Sequence, residues 1–397
     1  MYQFEDCQVD PRRFELRRAG EVVHVEPQVF SLLAYLIEHR DRVVAKTELL
    51  DEVWGGRYVS ESALTSRVKM LRRAVGDDGA QQRVIATVHG VGYRFVAELA
   101  GTAEPTRTRP RQQIRYSVSP DGVRVAYATS GAGPPLVKAA NWLTNLDLEW
   151  SSPIWSHWLD GLAANHTLVR YDERGCGLSD WEVADFSFDA WVNDLELVVD
   201  AAGLDEFPLL GISQGGAVAI AYAVRHPERV SHLILSGAYC RGRLARATTA
   251  DELEEATLDL QLGRIGWRHD DPSFRQVFAS QFLPDGTKSL WDAFNDLQRA
   301  TTSTENVVRF LDVFAHIDVS ALAPHVRCPT LILHSRDDLR VPRSQAQDLA
   351  GLIPNSELRF LQSRNHILTA TEPAWPVFLS EVDRFLAANA QITVPTH

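Results

Sequence analysis

The stretch LLGISQGGAVAI, residues 209–220, decides how most of the chain is read. Gly211, Ser213 and Gly215 sit where one pattern gives way to another. Upstream, Phe207–Gly211 is a short apolar run of strand length. Downstream, Ala217–Val224 stays apolar without a break, as a buried helix does. A strand turning sharply into a helix at a Gly-x-Ser-x-Gly core lifts the serine hydroxyl to the C-terminal edge of a sheet. The two glycines permit the cramped turn and close strand–helix packing. On the spacing alone, an ordinary small-residue turn is an equal reading. The strand–turn–helix setting favours a nucleophile.

A serine hydroxyl is a weak nucleophile at neutral pH. It needs a base, and the base needs a carboxylate to orient it. In this architecture the chain order is serine, acid, histidine. The segment PTLILHSRDDLRVP (329–342) ends a strong strand with Asp337 and Asp338, and SRNHILTATEP (363–373) offers His366 just after another strand. Of the 13 histidines, His366 is the best placed. His334 lies inside a strand and reads as a packed core residue, and His316 and His325 read as structural. Spacing leaves Asp337 and Asp338 both open.

Around these segments the pattern alternates strand and helix. Ile114–Val118 and Val123–Thr129 form a hairpin through Asp121-Gly122. Leu136–Ala140, Thr167–Tyr171, Phe207–Gly211, Val230–Ser236, Thr330–His334 and Leu358–Leu361 follow as strands. An opening hairpin and then βαβ units predict an α/β fold whose mostly parallel sheet is covered on both faces. Residues 239–322 carry helical patterning without a clear strand, which predicts a helical cap.

Residues 114–390 resemble the α/β-hydrolase superfamily. In that family the acid commonly precedes a proline by four, as Asp338 precedes Pro342. The resemblance therefore implies Ser213, Asp338 and His366 as the catalytic set, with Asp337 the runner-up. YDERGCGLSD (171–180) matches the family's Arg-Gly-x-Gly-x-Ser loop. Its Arg174 and glycines are read as turn structure, and Asp172 is not expected to be catalytic. The oxyanion donors implied are the backbone amides of Gln214 and Trp142. Here the family's usual His-Gly is replaced by Ala140-Asn141, so the loop lacks its customary glycine. Lys138, inside an apolar strand, has no explanation at this level. Trp142, Trp181, Trp267 and Phe282 could line an apolar ligand pocket.

The N-terminal part reads differently. In SESALTSRVKMLRRAVG (60–76), Leu64, Val68, Leu71 and Val75 make one apolar stripe. Ser60 and Gly76 read as caps. The other faces carry Ser62, Ser66, Arg67, Lys69, Arg72 and Arg73, which suit a major groove. Two helical segments precede this helix, and RVIATVHGVGYRF (83–95) follows as a hairpin. Residues 1–97 resemble the OmpR/PhoB-type winged helix, most specifically in ELLDEVWG, LRRAVGDD and TVHGVGYRF. The resemblance implies a separate α+β DNA-binding domain. The helix from Ser60 would be its recognition helix and His89–Gly92 its wing tip, so His89 and Tyr93 join the expected DNA contacts.

Totals bound the rest. At 397 residues more than one core is expected. The net charge of −12 is uneven: residues 1–100 hold 14 basic and 15 acidic side chains, so the acidity lies in the C-terminal part, and DNA contact belongs to the N-terminal one. Residues 98–113 read as a linker whose arginines could act as a minor-groove arm. Cys7, Cys176, Cys240 and Cys328 are scattered, which points to a reducing compartment and to neither zinc nor disulfides. No run approaches the roughly 20 apolar residues of a membrane span, and no signal segment is visible, so a cytoplasmic location is expected. The whole predicts a DNA-binding transcriptional regulator fused to a serine hydrolase domain without a cofactor. That domain would bind and hydrolyse a small apolar ester, lactone or amide. The alternatives are an esterase with an accessory N-terminal domain, or a hydrolase-like receptor without turnover. Homodimerisation is compatible with the winged helix but not established by sequence.

Overall fold

Chain contacts divide the molecule, a computed structural model, into two units, 1–109 and 110–397. The residues described are 2–10, 14–40, 42–54, 61–88, 90–97, 99, 112–268 and 273–389. Ser60, His89 and all of the expected linker except Leu99, Gln112 and Gln113 lie outside them.

In the first unit, β1 (Tyr2–Phe4), β2 (Cys7–Asp10), β3 (Glu15–Arg18) and β4 (Glu21–Val23) form an antiparallel sheet in chain order. Helices α1 (Pro27–Glu38), α2 (Lys46–Trp54) and α3 (Glu61–Ala74) follow, with β5 (Val44–Ala45) before α2. Strands β6 (Ile85–Val88) and β7 (Gly92–Phe95) pair as a hairpin, and β5 joins β7. Pro27 opens α1, where its missing N–H is no loss. The stripe Leu64, Val68, Leu71 and Val75 is fully buried against Leu33 and Leu36 of α1 and the Phe4–Phe95 pair. Gly76, at φ +71°, ends α3 against the Arg18 side chain. The Asp77 carboxylate then accepts from the amides of Asp78, Arg83, Val84 and Ile85, which pins the start of the hairpin.

The second unit begins with the hairpin β8 (Gln113–Val118) and β9 (Arg124–Gly131). Strands β10 (Pro135–Lys138), β11 (Thr167–Tyr171), β12 (Phe207–Ile212), β13 (Val230–Ser236), β14 (Thr330–Ser335) and β15 (Ser356–Leu361) complete an eight-stranded sheet. Its order is β15-β14-β13-β12-β10-β11-β9-β8, and only β8 and β9 run antiparallel to their neighbours. Every residue of β14 is buried, as expected for a strand covered on both faces. The covering helices are α4 (Leu148–Ser151), α5 (Ser156–Leu162), α6 (Phe188–Ala201), α7 (Gly215–Arg225), α13 (Arg343–Leu352) and α14 (Ala374–Asn389). Between β13 and β14 the described residues form α8 (Arg243–Arg246), α9 (Ala250–Arg268), α10 (Ser273–Phe282), α11 (Lys288–Thr301) and α12 (Thr304–His316), with no strand. Because β12 to β15 are parallel, their C-terminal ends share one edge. Ser213, Gly237, Asp338 and His366 all follow those ends.

Candidate active site

Ser213 sits between β12 and α7 with φ +53°, a left-handed conformation that a non-glycine residue adopts at an energetic penalty. The surroundings enforce it. A Cβ on Gly211 would lie 2.5 Å from Gly216 Cα, and one on Gly215 2.5 Å from the Ala140 carbonyl. The Ser213 amide donates to the Ser236 carbonyl at 2.9 Å, which ties the turn to the end of β13. The side chain is buried but faces a cleft.

His366 Nδ1 donates to Asp338 Oδ2 at 2.7 Å. The other oxygen, Oδ1, accepts from the Arg340 and Val341 amides at 2.8 and 2.9 Å. Burial pushes the Asp338 carboxyl up, but His366, His334 and the Val341 amide outweigh it and hold the group below its ordinary range. An ionised Asp338 fixes the proton on Nδ1 and leaves the Nε2 lone pair available. That Nε2 is buried and has no hydrogen-bond partner among the described residues, so the Ser213 Oγ bond is not formed in this conformation. The imidazole lies against Gly237, whose hypothetical Cβ would be 3.0 Å from Cε1, one residue beyond the carbonyl that holds Ser213. Catalytic hydrogen bonds are often loose before substrate binds. Phe282 fixes the ring edge-on, and its carbonyl accepts from the His366 amide at 2.8 Å. Asp337 has no bond to His366. His334 donates Nε2–H to the Val341 carbonyl at 2.9 Å and lies 3.8 Å from Asp338.

The expected oxyanion donors are arranged differently from each other. The Gln214 amide is at the first turn of α7, among the amides that a helix leaves unpaired. The Trp142 amide instead donates to Gln214 Oε1 at 3.0 Å, so a side chain occupies the second donor. Leu143, two residues past Asn141 in the same loop, takes φ +46°. Trp142 Nε1 donates to Gln298 of α11 at 2.6 Å.

Beneath this corner lies a buried charged group that the sequence left unexplained. Lys138 bonds Asn141 and stands over the Trp155 ring at 5.5 Å. Glu149 and Arg170 pair at 2.8 Å. Asp172 accepts from the Leu146 and Leu178 amides at 3.0 and 2.8 Å, a loop-fixing role. Arg174 grips Asp194 through two bonds and reaches Asp121 at 2.7 Å. Burial pushes Asp172 up to about 7 and Glu173 up to about 8.

The cleft holding Ser213 is walled by Trp142, Phe282, Leu260, Leu311 and Phe314. Trp267 packs edge-on against Trp142 and Trp181 is partly exposed, so neither lines it. Arg243, Arg246 and Arg340 also line it, together with Asp259. Sequence reading missed all four, because each lies in a segment that looks like a solvated helix or loop.

On α3, the expected recognition helix, Ser62, Ser66, Lys69 and Arg73 are exposed. Ser66 Oγ donates to the Ser62 carbonyl. Three of the expected contacts are engaged within the chain itself. Arg72 turns inward and donates to the Ile85 carbonyl and Thr87 Oγ1 at 2.7 and 2.8 Å. Arg67 pairs with Glu26 at 3.0 Å. Tyr93 is buried in the domain core because β7 is paired on both sides.

Residues 20–95 match the family described as "Transcriptional regulatory protein, C terminal". Residues 142–373, more than half of the chain, match the family described as "alpha/beta hydrolase fold". A pyrrolizixenacetamide deacetylase of Xenorhabdus hominickii is 28% identical over 234 residues, which cover 59% of this chain and 85% of the relative. The esterase RhEst1 of Rhodococcus sp. ECU1013 aligns with a TM-score of 0.55 at 26% identity, covering 69% of this chain and 98% of that one. A bromoperoxidase of Bacillus anthracis aligns at 0.59 and 21% identity, covering 69% of this chain and all of that one. No described helix is long and apolar enough to cross a membrane. The chain belongs to the α/β-hydrolase fold family and joins that domain to an N-terminal OmpR/PhoB-type DNA-binding domain.

Proposed function

We propose that the protein is a ligand-responsive DNA-binding regulator whose C-terminal domain hydrolyses a small ester, lactone or amide. The observation that carries the chemistry is the 2.7 Å His366–Asp338 bond, with the imidazole set against Gly237, one residue beyond the Ser236 carbonyl that holds the Ser213 amide. In this reading Ser213 Oγ attacks the acyl carbon as its proton passes to His366 Nε2. The carbonyl oxygen takes the negative charge and meets the Gln214 amide, and the Trp142 amide once the Gln214 side chain withdraws. The tetrahedral intermediate collapses and the leaving group departs with the proton from His366. Water then attacks the acyl-serine through the same base, which releases the acid and restores the hydroxyl.

The DNA-binding domain gives the hydrolysis a regulatory meaning: ligand occupies the cleft, and turnover ends the signal. Binding as a pair on repeated half-sites belongs to this reading. Purified protein should release nitrophenol from short acyl esters, and Ser213→Ala should abolish the release. Full activity in that variant would remove Ser213 from the mechanism. A second reading, a receptor without turnover, is favoured by the occupied Trp142 amide. It is supported instead if ligand changes DNA affinity while no ester or amide is cleaved.

A further inference from the structure

The cleft beside Ser213 is not the apolar pocket that its aromatic residues alone would make. Three guanidinium groups line it, from Arg243, Arg246 and Arg340, against the single carboxylate of Asp259. Arg340 takes that carboxylate through both oxygens, at 3.0 and 2.9 Å, bonds Gln281 at 2.7 Å and stacks over Phe278 and Phe282. It is a fixed part of the wall. Arg243 reaches Asp259 only at 3.6 Å, and its other bonds go to neutral acceptors, Gln281 Oε1 and the Arg340 carbonyl. Arg246 makes one long side-chain bond, 3.4 Å to the Arg241 carbonyl, and no ion pair among the described residues. The acidic residues of the adjoining groove do not supply the balance. Glu252 is held by Thr248 and Thr249, Asp348 by Arg241 and Gln345, and Glu255 is exposed.

Among the described residues, three guanidinium groups therefore share the one carboxylate of Asp259, which leaves the cleft wall with an excess of positive charge. Burial, with the neighbouring guanidinium of Arg340 adding, pushes Arg243 down to about 10, still charged at neutral pH. Tyr239 shares the wall, and its hydroxyl feels all three arginines and has no hydrogen-bond partner among the described residues. Uncompensated charge in a partly desolvated wall is unfavourable until a ligand supplies the counter-charge. A guanidinium fork matches a carboxylate through two parallel bonds. Leu260, Leu311 and Phe314 give the rest of the wall an apolar lining suited to a short hydrocarbon spacer.

We propose that the cleft selects esters or amides that carry a carboxylate, and that Arg243 and Arg246, with the Tyr239 hydroxyl, hold that carboxylate while the acyl group lies at Ser213. The proposal rests on the reading of Ser213 as the nucleophile, and it narrows the ligand from apolar to anionic.

The test compares mono-4-nitrophenyl adipate with its neutral methyl ester on the full chain. The expected wild-type kcat/KM ratio favours the carboxylate about tenfold or more, carried mainly in KM. Arg246→Gln removes most of that preference, and Arg246→Lys keeps part of it. Thermal melting checks that the variants are folded. A wild-type ratio near one, or a ratio unchanged in both Arg246→Gln and Arg243→Gln, overturns the proposal and leaves hydrolysis by Ser213 intact. If neither ester is cleaved, the hydrolytic reading fails separately. The anion site is then decided by calorimetry on the Ser213→Ala chain. Monomethyl adipate should bind there in a salt-dependent manner and dimethyl adipate should not, whereas equal binding of the two rejects the site.

Discussion

The backbone amide of Trp142 donates to the side-chain oxygen of Gln214 at 3.0 Å. These two residues are the expected oxyanion pair, so one partner's side chain covers the other partner's amide. The contact has two consequences. It satisfies a buried backbone donor that would otherwise be unpaired. In the proposed reaction, charge stabilisation at full strength requires the Gln214 side chain to leave its acceptor position, and an oxyanion donor is worth about 10²–10³ in kcat.

Gln214→Ala keeps the backbone amide of residue 214 and frees that of Trp142. The expected outcome is a kcat on 4-nitrophenyl butyrate raised about three- to tenfold, the conformational penalty having been removed. Steady-state kinetics checks it. An unchanged or lower kcat in a folded variant would show that the Trp142 amide is not the second donor.

Asp338→Asn tests the orienting role. An amide in place of the carboxylate presents N–H groups to Nδ1 and drives the imidazole proton to Nε2, where it blocks the base. Loss of about 10³–10⁴ in kcat is expected with KM little changed, as for other triads. Asp337→Asn should fall by less than about twofold, because Asp337 makes no bond to His366. Equal losses in the two variants would move the acid to Asp337.

The placement of Ser213, Asp338 and His366 along one sheet edge was legible because each follows a parallel strand, and strand ends lie on one edge whatever the loops do. The winged-helix stripe was legible for a similar reason: Leu64, Val68, Leu71 and Val75 must share a face. What stayed hidden depends on where long side chains end. Periodicity assigns Arg72 to the outer face of α3, but its long, flexible stem lets the guanidinium fold back to the Ile85 carbonyl. Arg243 and Arg246 look like a solvated turn of helix, and only the fold brings them to Arg340, almost a hundred residues on. Lys138 looks misplaced in its strand until Asn141, Trp155 and the buried acids around it appear.

Glu173 makes stability depend on pH in a predictable direction. Burial pushes its carboxyl up to about 8, with Asp194 adding and Lys138 opposing. A group raised in the folded state contributes stability that is fully present below its unfolded value. That stability is lost as pH rises through the folded value. The loss therefore accrues from about pH 4.5, where the unfolded carboxyl titrates, to about 8, where the native one does. Glu173→Gln cannot ionise and escapes the loss. The melting temperature of the variant minus that of wild type should rise by several degrees between pH 5.5 and 8.5, whatever its sign at the start. A difference that stays flat would place the Glu173 proton loss outside this window.

Helix α3 carries two kinds of basic residue. Arg73 and Lys69 are exposed, whereas Arg72 donates to Ile85 and Thr87 within its own domain. Lys69→Ala with Arg73→Ala should weaken binding to DNA from upstream of the protein's own gene. The slope of log affinity against log salt should become shallower by about 0.9 for each phosphate that the protein no longer neutralises. Arg72→Ala should act on folding instead. Removing charge-assisted bonds to a carbonyl and a hydroxyl costs about 1–3 kcal/mol, which appears as a lower melting temperature of the N-terminal unit. Salt-titrated fluorescence anisotropy and calorimetry on wild type and the two variants separate the effects. A shallower salt slope in Arg72→Ala at unchanged melting temperature would return Arg72 to the residues that touch DNA, with its inward bonds broken on binding.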